Sequence, residues 1–245
     1  TAAIPAGGYR PVHGLSRHRD LRELPADAVP AAQAGRGRDA DAALATRLAT
    51  ALPGLDRVEV PVPGVGEVLI RVHACGVCHT ELDEIEGRTP PPKLPVVLGH
   101  QIVGRVVAGG NSVTTFSPGD RVGVAWIHSA CGRCYLCKSG AENLCMSFKA
   151  TGRDAHGGYA EFMVINENFA YPIPEYFSDE EAAPLFCAGA IGYRSLALAN
   201  IKNGQLLGLT GFGASAHLVL KLSKHVYPDS DVMVFARSEI ELTEA

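Results

Sequence analysis

The side chains best suited to chemistry in this 245-residue sequence are its seven cysteines, at positions 75, 78, 131, 134, 137, 145 and 187. Four of them fall in one short run, Cys131-Gly132-Arg133-Cys134-Tyr135-Leu136-Cys137 followed by Cys145, a C-x2-C-x2-C-x7-C pattern. Four thiolates at such spacing close a tetrahedral zinc shell and leave no position for water or substrate, so the pattern predicts a structural metal. An iron–sulfur cluster draws on the same ligand type and is the rival assignment, with free thiols as the third. An odd number of cysteines in tight clusters suits metal ligation in a reducing, cytoplasmic compartment better than a secreted disulfide framework.

A second signal is Gly211-Phe212-Gly213-Ala214-Ser215-Ala216, which fits G-x-G-x-x-G/A. In such a turn Gly211 and Gly213 allow a tight bend, and with Ala216 in the third position the backbone can approach a pyrophosphate at a helix N-terminus. After the next strand an acidic residue would hold the ribose hydroxyls of NAD. Here the chain reads Phe235-Ala236-Arg237-Ser238, and Arg237 with Ser238 suits a 2′-phosphate, which favours NADP over NAD. A solvated arginine is the plainer alternative. A third pattern, Cys75-Gly76-Val77-Cys78-His79, has the C-x-x-C-H form of c-type haem attachment, but haem would leave both the four-cysteine run and the nucleotide turn without a purpose.

The elements that must position these groups change character along the chain. Residues 1–55 are rich in Ala, Arg, Gly and Pro and read as an atypical, mobile extension, with one helical stretch at 39–52. From Asp56 to about 175, short β-like runs separated by Gly and Pro are expected at 58–62, 67–72, 102–107, 121–127 and 159–165, as in a compact antiparallel barrel. A helix is expected over 78–86, and the four prolines within 87–95 exclude regular structure there. Residues 176–245 then turn to a β-α-β style. Ser178-Asp179-Glu180-Glu181 fits a capping box that starts a helix running to about Asn200. A strand at 205–210, a helix at 214–225 and a strand at 231–235 follow.

With 47% hydrophobic residues the chain can bury a sizeable core in one or two domains. No apolar run approaches the length of about 18 residues that a membrane span needs, and the first residues do not read as a secretory signal. A net charge of −4 gives no global attraction to nucleic acid or anionic lipid, so neither is an expected partner. His128, His156, His217 and His225 lack the spacing of a second catalytic set and are expected to be solvated or hydrogen-bonded.

Taken in order, Cys75-Gly-Val-Cys78-His79-Thr80, Gly99-His100, the four-cysteine run, Gly157-Gly158-Tyr159-Ala160-Glu161 and Leu185-Phe186-Cys187-Ala188-Gly189 resemble the zinc-containing medium-chain alcohol dehydrogenases. The likeness extends over about Asp56 to Glu241, and the stretch from Gly211 to Leu218 is similar to the cinnamyl-alcohol-dehydrogenase-like bacterial branch. The resemblance implies an α/β fold combined with β structure: a GroES-like barrel catalytic domain followed by a truncated, doubly wound Rossmann domain. It joins Cys78, His100 and Cys187 as a two-thiolate, one-imidazole set that leaves zinc a fourth position for water or alcohol. Zinc there acts as a Lewis acid on the substrate oxygen while hydride passes to or from the nicotinamide. Also by resemblance, Thr80 supplies the hydroxyl that begins a proton relay. His79 approaches the cofactor phosphates or is simply a surface histidine, and Trp126 lines the substrate pocket or merely covers the core.

Three departures stand beside the matches. Glu81 occupies the place of the family's usual aspartate, Gln101 follows His100 where glutamate is usual, and Asp83 stands where some members carry a relay histidine. The neutral amide of Gln101 removes a negative charge beside the metal. The sequence thus reads as a zinc-dependent, NAD(P)-linked alcohol dehydrogenase with two zinc ions per chain, acting on a small alcohol, aldehyde or ketone. A homodimer or homotetramer is expected if the Rossmann domain is complete. The alternative is a zinc-binding but catalytically silent fragment.

Overall fold

The computed structural model describes residues 58–236. The atypical segment 1–55 with its expected helix, and the pair Arg237 and Ser238, lie outside the described residues. Strand β1 (Glu67–Cys75) alternates along its first half, which puts Val68 and Ile70 wholly inside. It pairs antiparallel with β2 (Ile102–Gly109) on one side and β6 (Phe162–Asn166) on the other. β2 pairs with β3 (Arg121–Val124), and β3 with β7 (Ala170–Pro172), giving a curled sheet in the order β6-β1-β2-β3-β7. Its inner face gathers Val68, Ile70, Ile102, Val106, Val122, Val124, Met163 and Ile165 into one core.

The start of β2 and all of β3 are buried on both faces. The second cover is a short strap, α3 (Asp179–Ala182) and the 3-10 turn Ala183–Phe186, whose Ala182, Ala183 and Phe186 pack on Val103 and Ile173. The strap leads into α4 (Ala188–Ala199), then β8 (Leu207–Thr210), α5 (Ala214–Val226) and β9 (Val232–Phe235). β8 and β9 are parallel, as the expected β-α-β unit requires, and Leu196 and Val219 of the two helices close on Leu207.

Four expected elements come out differently. Residues 58–62 form no strand, and Val58, Val60 and Val62 are exposed. The run at 121–127 is cut at Ala125: β3 stays in the main sheet, while β4 (Ile127–Ser129) pairs instead with β5 (Lys149–Ala150). The run at 159–165 begins only at Phe162, because the amides of Gly157, Gly158 and Tyr159 already donate to the carbonyls of Val97, Gly99 and Leu98. The helix expected over 178–200 is broken at Cys187, whose φ of −132° and ψ of −74° are not helical. Pro184 ends the first helical stretch at Ala182, since it cannot donate to the preceding turn, and the chain continues to Phe186 in a 3-10 form.

Candidate metal centres and nucleotide turn

The four-cysteine run folds into a lobe around its own sulfurs. Cys134 caps α2 (Tyr135–Lys138), which swings Cys137 back toward Cys131. The sulfurs lie 3.5 Å apart for Cys134 and Cys137, 3.8 Å for Cys131 and Cys137, and 3.9 Å for Cys134 and Cys145. A tetrahedron of sulfurs about 2.3 Å from a central zinc has edges of about 3.8 Å, so these separations fit such an ion. Backbone N–H groups point at the sulfurs as well: Cys134 and Cys137 donate to Cys131 and Cys134, and Ser147 donates to Cys145. Amides of Arg133 and Cys134 hold the Cys131 thiol down at about 6.

The second cluster is assembled from three distant places. Cys78 caps the short helix α1 (His79–Ile85), His100 precedes β2, and Cys187 sits at the break before α4. One ligand atom from each lies within 4.8 Å of the other two, and the Cys78 and Cys187 sulfurs are 3.9 Å apart. Glu81, wholly buried on α1, uses both oxygens to hold the set. One accepts the Cys78 N–H at 2.7 Å, and the other lies 2.7 Å from His100 Nδ1. Burial alone would push His100 down, but Cys78 and then Glu81 outweigh it and lift the ring to about 9. The neighbouring Cys187 thiol lowers Cys78, while Cys187 itself is raised by the same contact. Two thiol sulfurs and one oriented imidazole are the donor set of an open zinc site, and they suit that ion. Thr80 is beside it, its hydroxyl 3.5 Å from the Cys78 sulfur.

In the nucleotide turn Gly211 has a φ of +81°, a conformation that side-chain-bearing residues rarely adopt, and a Cβ at Gly213 would meet nothing within 4 Å. The turn therefore presents open backbone just ahead of the N-terminus of α5, as a pyrophosphate would need.

Residues 64–175 match the alcohol dehydrogenase GroES-like domain. A probable alcohol dehydrogenase, AdhA, of Mycobacterium tuberculosis is 47% identical over 176 residues, which cover 69% of this chain and 51% of that protein. An alcohol dehydrogenase of Geobacillus stearothermophilus is 43% identical over 168 residues, with 68% and 50% covered. The chain thus contains the GroES-like domain of the alcohol dehydrogenases and is homologous to these enzymes. It spans about half the length of the curated relatives it matches. Among solved structures, a cinnamyl alcohol dehydrogenase of Sorghum bicolor superposes with a TM-score of 0.71 at 32% identity, over 78% of this chain and 56% of that one. A cobalt- and zinc-bound thermostable alcohol dehydrogenase of Pyrobaculum aerophilum gives 0.68 at 28% identity, over 77% and 58%. A Helicobacter pylori enzyme solved with NADP(H) gives 0.69 at 28% identity, over 75% and 55%. The fold class is that of the family, a GroES-like domain followed by Rossmann-type structure.

The remaining expected site residues fall outside the ligand cluster. Asp83 is held by Arg88, whose Nε is 2.5 Å away, and faces His79 Nε2 at 3.7 Å. His79 itself is mostly exposed at the start of α1. Trp126 lies between β3 and β4, tilted against Phe148 with ring centroids 5.1 Å apart. Gln101 is buried with its side chain against Gly76. His128 departs from expectation: its Nδ1 is buried without a hydrogen-bond partner, and burial lowers its pKa. His156, by contrast, accepts the Val97 N–H at 3.0 Å.

Sequence reasoning passed over two features. Glu84, one turn beyond Glu81, is buried with neither carboxylate oxygen partnered. Asp179 reads in the sequence only as part of a helix start, yet it binds Arg121 and His73 of the barrel. An acid three residues after a buried acid on one helix could have signalled the first. Among the described residues no single helix is long and apolar enough to cross a membrane.

Proposed function

We propose that this chain carries the zinc chemistry of an alcohol dehydrogenase that interconverts a small alcohol and its aldehyde or ketone, with NADP(H) preferred over NAD(H). The observation that carries the reading is the convergence of Cys78, His100 and Cys187 on one point, with Glu81 orienting the imidazole from behind. In this reading residues 56–175 form the metal-binding domain and 176–245 contribute nucleotide-binding structure. Cys131, Cys134, Cys137 and Cys145 hold a second, closed zinc. The thiol clusters support a reducing, cytoplasmic setting, and the family resemblance points to a homodimer or homotetramer.

A zinc ion held by Cys78, His100 and Cys187 would keep a fourth position open and supply Lewis acidity to an alcohol or carbonyl oxygen there. Thr80, whose Oγ1 is 3.5 Å from the Cys78 sulfur, would relay the alcohol proton, Oγ1 accepting it as its own hydroxyl proton passes on to solvent, and the reverse in the other direction. Glu81 fixes the His100 tautomer by occupying Nδ1, so the ring offers Nε2 in one orientation. Gly211, Gly213 and Ala216 leave the backbone open to the pyrophosphate, with His79 as an added donor and Asp83 steering it. Arg237 and Ser238, just past β9, meet the 2′-phosphate. Trp126 forms part of the pocket wall.

The test combines elemental analysis of the purified chain with calorimetric titration of NADPH and NADH, then aldehyde reduction followed by NADPH fluorescence. About two zinc ions per chain, tighter NADPH than NADH binding, and aldehyde-dependent NADPH loss are expected. Zinc at the lobe alone would overturn the catalytic assignment. Two zincs with no nicotinamide binding would leave a metal-binding chain without dehydrogenase activity.

A further inference from the structure

Cys187 is the ligand of the open set that arrives from outside the barrel, at the end of the strap formed by α3 and the 3-10 turn. It lies at a helix break and makes no side-chain cap; its carbonyl accepts the Ile191 N–H at 2.9 Å at the start of α4, and its N–H reaches the carbonyl of Pro184. On its N-terminal side its place depends on the strap.

Both ends of that strap rest on β3. At the start, Asp179 Oδ1 accepts Arg121 Nε at 2.8 Å and Nη2 at 2.7 Å, while Oδ2 lies 2.9 Å from His73 Nδ1 of β1. Arg121 Nη1 donates to the carbonyl of Pro174 at 2.9 Å, just ahead of the strap. The Arg121 side chain is only 6% exposed, so Asp179 is the counter-charge that makes its burial tolerable. Burial works against the Asp179 carboxylate, but Arg121 and then His73 outweigh it and hold its pKa below the usual carboxylate range. At the far end, the Phe186 ring occupies the space over Gly123, where a Cβ would come within 1.9 Å of it. Arg121 and Gly123 are two residues apart on one strand and therefore face the same way. Between the two points Ala182 and Ala183 pack on Val103.

We propose that this face of β3 sets the Cys187 sulfur against Cys78, with Asp179 as the positioning residue: the fork of Arg121 and His73 fixes where the strap begins, and the slot at Gly123 fixes where it ends. The inference rests on the reading of Cys78, His100 and Cys187 as a metal site. It assigns Asp179 a role in metal geometry although it lies eight residues before the ligand.

The test loads the full chain with Co²⁺ in place of zinc and follows the visible ligand-field and thiolate charge-transfer bands. Asp179→Ala should weaken Co²⁺ binding at the three-ligand site by about 10–100-fold and shift its bands, as losing an outer partner of a metal ligand does, while the bands of the four-cysteine lobe stay unchanged. Asp179→Glu, which keeps the charge, should recover most of the affinity. Gly123→Ala attacks the other end of the strap without altering charge and should produce the same selective loss. The lobe serves as the internal control for folding, and Asp179→Asn replaces the alanine variant if that one does not fold. Wild-type affinity and bands in both Asp179→Ala and Gly123→Ala, with only a lower melting temperature, would overturn the proposal. A wild-type chain that takes up cobalt at the lobe alone would overturn the metal-site reading and the proposal with it.

Discussion

The four-cysteine lobe and the Cys78–His100–Cys187 set draw on similar donors but are built in opposite ways. The lobe is complete within residues 131–145, and its sulfurs are steadied by amides of the same loop. Around it Tyr135 is 82% and Met146 96% exposed, so the lobe has almost no apolar core of its own. The other set spans 109 residues and is held by a helix cap, a strand entrance and a strap packed against the barrel. A metal should therefore act as the core of the first and as a guest of the second, whose frame stands on packed sheet and helix.

The sharpest way to break that contrast is to remove one sulfur from each. Cys134→Ser should release one metal and unfold residues 131–145 locally, because apparent binding energies of about 10–16 kcal/mol at structural zinc sites are also folding energy. Hydrogen exchange should show protection lost across the lobe. Cys187→Ser should also release one metal, yet leave exchange in the barrel core and the melting temperature close to wild type. Equal melting losses in the two variants would erase the distinction. A smaller effect is expected from Glu81→Ala, which removes no ligand. It frees the His100 ring and leaves the Cys78 N–H unpaired, so competition with a chelator should show affinity at that site about 10–100-fold lower. The lobe should be unaffected. Wild-type affinity in this variant would mean that the barrel alone orients His100.

The same contrast explains how much could be read from the sequence. Cys131 to Cys145 and Gly211 to Ala216 are local patterns, legible because ligand spacing and turn conformation are set within a few residues. The helix cap at Cys78 and the alternation of Val68 and Ile70 are local in the same sense. The joining of Cys78, His100 and Cys187 depends on strand pairings across the barrel and came only through family resemblance. The fork at Asp179 links residues 58 and 106 positions apart, and no spacing rule reaches that far. Where local reading failed it failed at tertiary decisions. Val58–Val62 has strand composition but no strand partner among the described residues, and residues 121–127 alternate well enough but are divided between two sheets. Pro184 was a visible sign that the helix leading to Cys187 would break.

The smallest expected effect concerns what the interior of the open site costs the fold. The lobe's sulfurs are met by amides near the surface, whereas Glu84 lies buried on α1 with no donor for either oxygen. Burial first, and then the charge of Glu81, raises its carboxyl to about 7, against the pull of His100 and Arg153. A carboxyl whose pKa is higher folded than unfolded holds more protons in the native state, so its ionisation opposes folding. That opposition begins as pH rises past the ordinary carboxylate range and is complete above about 7. Glu84→Gln removes the ionisation and keeps the shape. Its stability should equal that of the parent near pH 4 and exceed it increasingly up to neutrality, by at most about 1.4 kcal/mol per pH unit. Urea unfolding across that range gives the two curves. Parallel curves would mean that Glu84 finds a donor in solution, and the interior of the open site would then be no harsher to charge than the lobe.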